Sequence, residues 1–357
     1  MPATTAFRDA RSNGALPNAP HPMSPNGDRL PRRRRLSPAT LAGPVLLLGG
    51  LLIAPQLVSP FWVFVLAGAL VYALAALSVN VLYGQAGMIA LFPAAFLGIG
   101  AFAGAIITRE GQGWFVALVG AAVVSFVLGA AAGLPGTRLR GMAFGIVTFA
   151  FALAMDTVVF RHGILGIDPA FGATMARPEL AGVSFADDLN YYYLVLAVAA
   201  LTWLVVKGHE ASRVGRAWRA IRDNELAGLA IGVPVSLYRV WAAALAGAVG
   251  GVAGVLFVTL QSQANAESFT PTQSLLIFTA AMTAGTRNVA GAVLAGALII
   301  VLPQLLTDVG VVPEIVPLLF AVGVLVSLRG ANGIVGGVQH AWGELALVVR
   351  SRLHRTA

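Results

Sequence analysis

The chain has no cysteine, a single lysine and few charges of either sign. Without cysteine there is no disulfide, thiolate nucleophile, Cys-ligated zinc or iron–sulfur cluster. Lys207 is the only lysine and Gly208 follows it. The G-x-x-x-x-G-K-[ST] phosphate loop is therefore missing, and nucleotide hydrolysis by that route is excluded. The histidines (His21, His162, His209, His340, His354) are scattered without metal-ligand spacing, so no metal or other cofactor is expected, and no enzyme. Charged residues make up 11% of the 357, where an ordinary soluble domain carries about 25%.

What is present is apolar. The chain is 58% hydrophobic, and several windows run about 20 residues without a charge, enough to cross a bilayer as helix. Abundant Ala and Gly suit close helix packing in lipid. The expected fold is an all-α polytopic membrane protein. Spans are expected near 40–58, 61–83, 86–108, 114–133, 141–160, 190–206, 238–260, 273–286, 289–306 and 311–328. The eighth and ninth are short and broken by Gly285, Arg287 and Asn288, so 273–306 reads as a tight hairpin or as one interrupted helix.

The net charge of +8 invites a nucleic-acid partner. Arginine in a membrane protein instead marks cytoplasmic loops, and no nucleic acid is expected. With residues 1–38 inside, ten crossings place 20 of the 23 basic residues inside. Only Arg109, Arg161 and Arg177 fall outside. Both termini are then cytoplasmic. Residues 1–38 read as a disordered tail without signal-peptide features. Its run Arg32–Arg35 reads as a topology anchor attracted to anionic membrane lipid rather than as a specific binding site. Residues 39–330 form the transmembrane domain and 331–357 a cytoplasmic C-terminal segment. The outer loop 161–189 is mildly acidic and reads equally as a partner-receiving surface or a short surface helix.

Nine of the 38 charged side chains lie in residues 207–239. Arg213, Arg216, Arg219 and Arg222 alternate with Val214, Ala217, Trp218 and Ile221, giving one polar and one apolar helical face. Asp223, Asn224 and Glu225 suit a helix start. A short helix follows to Ile231, with Gly232 at the C-cap position and Pro234 as a stop. Arg222 and Glu225, three apart, are placed to pair along the helix. This helix–turn–helix reads either as a docking surface for another protein or as an amphipathic anchor on lipid.

The stretch RAIRDNELAGLAIGV resembles the cytoplasmic EAA-type loop of ABC importer permeases, in particular the branched-chain amino-acid permeases of the LivM/LivH group. The match to R-A-x-R-x-N-E-x-A-A-x-x-x-G falls on Arg219, Ala220, Arg222, Asn224, Glu225, Ala227 and Gly232, with Gly228 in place of the second Ala. The segment from Leu77 to Phe102 is also similar to that family, at Asn80, Gly84, Gly87, Ala94, Ala95, Phe96, Gly98, Gly100 and Ala101. So are LRGMAFGIVTFAFA from Leu139 and the late segment from Thr283. Met88, Ala90, Phe92 and Pro93 replace polar or small residues usual in the group, so the central path is expected to be more apolar.

The resemblance implies the ABC importer permease fold in a bacterial cytoplasmic membrane. It implies ATPase subunits docked at Arg219, Arg222, Asp223, Asn224, Glu225, Ala227, Gly228 and Gly232. A second permease chain and an extracytoplasmic solute-binding protein complete the assembly. The cargo would be branched-chain or related amino acids; urea, sugars or nucleosides on the same fold remain the alternative. On the path, Asn80, Gln85 and Thr148 are polar groups in apolar segments; each reads as a substrate contact or as a satisfied helix–helix hydrogen bond. Phe92-Pro93 is expected to kink the third span. Asp156, the one carboxylate well inside a span, keeps an ion-coupled carrier open; a surface acid reaching outward is the plainer reading.

Overall fold

Three helices begin with proline at their first turn, Pro60, Pro93 and Pro271, where the missing N–H costs no intrahelical bond. The computed structural model describes residues 47–162, 167, 172–180, 183–310, 315, 318–320, 322, 323 and 334. The expected tail 1–38, nearly all of 331–357 and most of the tenth span lie outside the described residues. The helices are α1 (Leu47–Gln56), α2 (Pro60–Gln85), α3 (Pro93–Arg109), α4 (Trp114–Thr137), α5 (Met142–Phe160) and α6 (Asp188–Ala211). They continue with α7 (Arg213–Asp223), α8 (Glu225–Ala230), α9 (Val235–Gln261), α10 (Pro271–Ala284) and α11 (Val289–Asp308). Among these, α2, α4, α5, α6, α9 and α11 are long and apolar enough to cross a membrane. The chain is a multi-pass helical membrane protein.

The core sits around α9 and α2, which are almost wholly buried. Helix α9 packs on α2, α3 and α4 through small residues. A Cβ added to Gly100 would lie 2.1 Å from the Gly251 carbonyl oxygen, so only glycine permits that approach of α3 to α9. An aromatic row fills the end of the bundle away from the charged loop. Phe102 stacks on Phe160 at 4.9 Å, and Phe269, Phe257 and Tyr72 continue it edge to face.

The third span departs from the sequence expectation. Residues 86–92 are not helical, and Pro93 starts α3 rather than kinking a longer helix. Backbone freed in a bilayer must find partners inside the protein. The Leu91 N–H donates to Thr148 Oγ1 at 2.9 Å, and the Ala94 N–H donates to Ser274 Oγ at 3.1 Å. Residues 273–306 form two helices, α10 and α11, joined by a turn in which Gly285 has φ +116°. Among the described residues of 161–189 there is no surface helix. Instead β1 (Ala173–Thr174) pairs antiparallel with β4 (Gln263–Ala264), and β2 (Glu179–Leu180) with β3 (Val183–Ser184). Arg177 holds this loop to α6 through an ion pair with Asp188 at 2.7 Å and a bond to the Ala186 carbonyl.

Candidate functional site

The charged loop folds as a capped hairpin of two short helices. Ser212 Oγ accepts from the Val214 N–H at 3.1 Å and opens α7. Asn224 Oδ1 accepts from the Ala227 N–H at 3.1 Å and opens α8. The far end of α8 closes with two reversed bonds, Val233 N–H to the Gly228 carbonyl and Gly232 N–H to the Leu229 carbonyl, both 3.0 Å. Gly232 sits at φ +82°, the left-handed backbone this cap requires.

The apolar face of α7 is turned inward. Gly215, Ala217, Trp218 and Ile221 are buried, and the Trp218 indole N–H donates to the Tyr238 carbonyl at the start of α9 at 2.8 Å. That face is spent on the protein's own core, which removes the lipid-anchor reading for α7.

Three polar contacts tie the hairpin and the end of α6 that leads into it to the bundle. Arg222 donates to the Gly84 carbonyl at the end of α2. Gln85 Nε2 donates to Glu210 Oε1 at 3.1 Å, and Lys207 pairs with the other oxygen of Glu210 at 2.6 Å. Glu225 lies between Arg239, 2.8 Å away and buried, and Arg140, 3.2 Å away and exposed. The expected Arg222–Glu225 pair is not made. Arg222 takes Asp223 and the end of α2 instead, because Glu225 is drawn to two arginines on other elements.

Of the residues expected to dock a partner, Arg219, Arg222, Glu225 and Gly228 face inward. Arg219 donates to the Glu210 carbonyl at 3.1 Å, and Gly228 is buried against Ala220. Asp223, Asn224, Ala227 and Gly232 are on the surface. The outward groups that sequence reasoning missed are Leu226, Leu229 and Ile231, exposed by 71%, 48% and 75%. Their signal was present: Leu226 and Leu229 interleave with small residues in the six-residue α8, and Ile231 follows at its C-cap.

The expected path residues are engaged with the protein. Gln85 holds Glu210, and Thr148 accepts from Leu91 while donating to the Gly145 carbonyl at 2.9 Å. Asn80, 5% exposed, donates to the Asn288 carbonyl at 3.5 Å, while its Oδ1 has no hydrogen-bond partner. Asp156 is buried and ion-paired to Arg161 at 2.9 Å, not reaching outward.

A bundle of apolar crossing helices that also carries a structured, apolar-tipped loop defines a multi-pass helical membrane protein. Residues 61–328 match the family described as branched-chain amino acid transport system / permease component, and the chain belongs to that family. With its apolar helices, this makes it a multi-pass protein of the inner membrane. It is 27% identical over 278 residues to the high-affinity branched-chain amino acid transport system permease protein LivM of Salmonella typhimurium. It is 26% identical over the same length to LivM of Escherichia coli; each match covers 71% of this chain and 65% of the relative. A probable branched-chain amino acid transport permease protein LivM of Methanocaldococcus jannaschii is 28% identical over 200 residues, 54% of this chain and 56% of that protein. The chain thus matches just under two thirds of the length of its first curated relatives. No solved structure matches it.

Proposed function

We propose that the chain is the permease subunit of an ATP-driven ABC importer for branched-chain or related amino acids. ATP is hydrolysed by separate subunits that seat on the α7–α8 hairpin. A second permease chain completes the pore, and an extracytoplasmic binding protein delivers the solute. Ten crossings with both termini cytoplasmic put this hairpin on the cytoplasmic side, beside the arginine-rich loops. The cargo assignment rests on the relatives' names and on family membership.

The observation that carries the docking assignment is the apolar tip of α8. Leu226 and Leu229 on α8 and Ile231 at its C-cap stand exposed, and the helix is held by two caps and the Glu225 ion pairs. A small, rigid, apolar projection fits a groove on a partner better than water. Asp156 adds nothing to the ion-coupled carrier reading, since Arg161 already neutralises it. The test is co-purification of the ATPase subunits with Leu226→Asp and Ile231→Asp. We expect their loss with the chain still inserted in the membrane. Retention at the unsubstituted level rejects docking at this tip.

A further inference from the structure

Three interrupted segments meet at one point, and a single arginine closes it. The last turn of α2, Asn80–Gln85, is a wide π-turn. Next to it is the non-helical stretch 86–92 before α3. Against the end of α2 lies the α10–α11 turn. A Cβ on Gly84 would sit 2.0 Å from the Thr286 carbonyl oxygen, so α2 and this turn are in direct backbone contact. The Gly84 carbonyl receives the Arg222 guanidinium from α7. Gly87, at φ +69°, lies under the same residue; a Cβ there would be 2.8 Å from Arg222 Cγ and 3.2 Å from its Cα.

We infer that Arg222, seated on Gly84 and Gly87, is the positioning residue that transmits movement of the α7–α8 hairpin to the two breaks in the bundle, 86–92 and 285–288. The inference rests on the docking role of the hairpin proposed above and names where its displacement goes. Two physical features favour this point over the other anchors. The Glu225 cluster joins α8 to the first turns of α9, a continuous and almost wholly buried helix, and to the exposed Arg140 in the α4–α5 turn. Helix interiors resist bending, whereas a π-turn, a non-helical run and a glycine turn can change backbone angles without breaking a helix. Arg222 also reaches across 138 residues of sequence to a main-chain carbonyl, so moving α7 must move that backbone or break a charge-assisted bond.

Gln85 reinforces the coupling from the neighbouring residue. Its amide grips Glu210, the carboxylate that also holds Lys207 at the end of α6. The α6–α7 corner and α7 itself therefore pull on consecutive residues of α2.

Hydrogen exchange on the purified full chain tests this without any partner. In Arg222→Ala we expect amide exchange to rise about tenfold at 82–92 and at 285–288 together, the fold-change for loss of one charge-assisted bond. Arg222→Lys, which can still donate to Gly84, should restore part of the protection. Gly87→Ala, which pushes Arg222 away but also strains the φ +69° backbone at 87, should raise exchange at 285–288 as Arg222→Ala does. In the assembled complex, Arg222→Ala should keep its ATPase subunits yet lose uptake of leucine, used as the probe. A rise confined to α7–α8, no change at 285–288, or a lysine variant no better than alanine overturns the inference. Failure of Leu226→Asp to release the ATPase subunits would remove the docking reading alone, and the exchange pattern would still decide the transmission contact.

Discussion

Glu225 shows how burial ranks two ion pairs on one carboxylate. Its partner Arg140 is exposed, so that pair is screened and contributes under ~1 kcal/mol. Arg239 is buried and, among the described residues, has the Gly136 carbonyl besides Glu225. Removing the carboxylate leaves a buried guanidinium short of its counter-charge, a loss of about 3 kcal/mol. In thermal unfolding of the detergent-solubilised chain we therefore expect Glu225→Ala to be clearly destabilised and Arg140→Ala to differ little from the parent. Equal shifts for the two would show that burial does not set the ranking. The presence of both residues is plain in the sequence, but their pairing is not. Arg222 sits three residues from Glu225 and looks like its natural partner, yet each takes a partner from a distant element.

The broken α3 is the element in which membrane physics is most visible. A non-helical run inside an apolar bundle leaves donors that water cannot satisfy. Thr148, from α5, satisfies the Leu91 donor in this run, and Ser274, from α10, satisfies the Ala94 donor in the first turn of α3. We expect Thr148→Val and Ser274→Ala each to cost about 1–3 kcal/mol, the penalty of a stranded buried donor. The readout is the detergent melting temperature of each variant. Parent-like stability would mean that these donors find other partners. The same geometry gives Thr148 a structural duty that accounts for a polar group on an apolar helix without invoking solute. Pro93 is a local signal that a helix starts there. Its neighbours Ala86–Phe92 are apolar enough to extend the span, so composition alone joins what the structure separates.

At the scale of the whole molecule, burial divides the bundle into a packed centre and an apolar outside. Helices α4, α5, α6 and α11 leave most of their spanning windows uncovered, with Val116, Val119, Val123 and Val127 along α4. Such faces suit lipid or a second permease chain. The ten-crossing orientation has a direct test because the chain has no native cysteine. Single cysteines at Arg287 and Arg329 should react with an impermeant maleimide from the cytoplasmic side, and one at Glu110 from the opposite side. Labelling of the Arg329 position from the outside would reduce the count to nine.

The sequence by itself determined that the chain spans a membrane, where most helices begin and end, and that 207–239 is a capped two-helix hairpin. These features rest on composition over about twenty residues and on caps acting within three or four, both of which are local. Only the tertiary structure decided which side of the hairpin faces out. It put Arg222, Glu225 and Gly228 inward, left Leu226, Leu229 and Ile231 as the free tip, and gave Gln85 and Thr148 to internal contacts. Partners such as Gly84 for Arg222 lie 138 residues away along the chain. A buried polar group takes whichever partner the packing of distant helices brings within hydrogen-bond reach, and no local pattern records that choice.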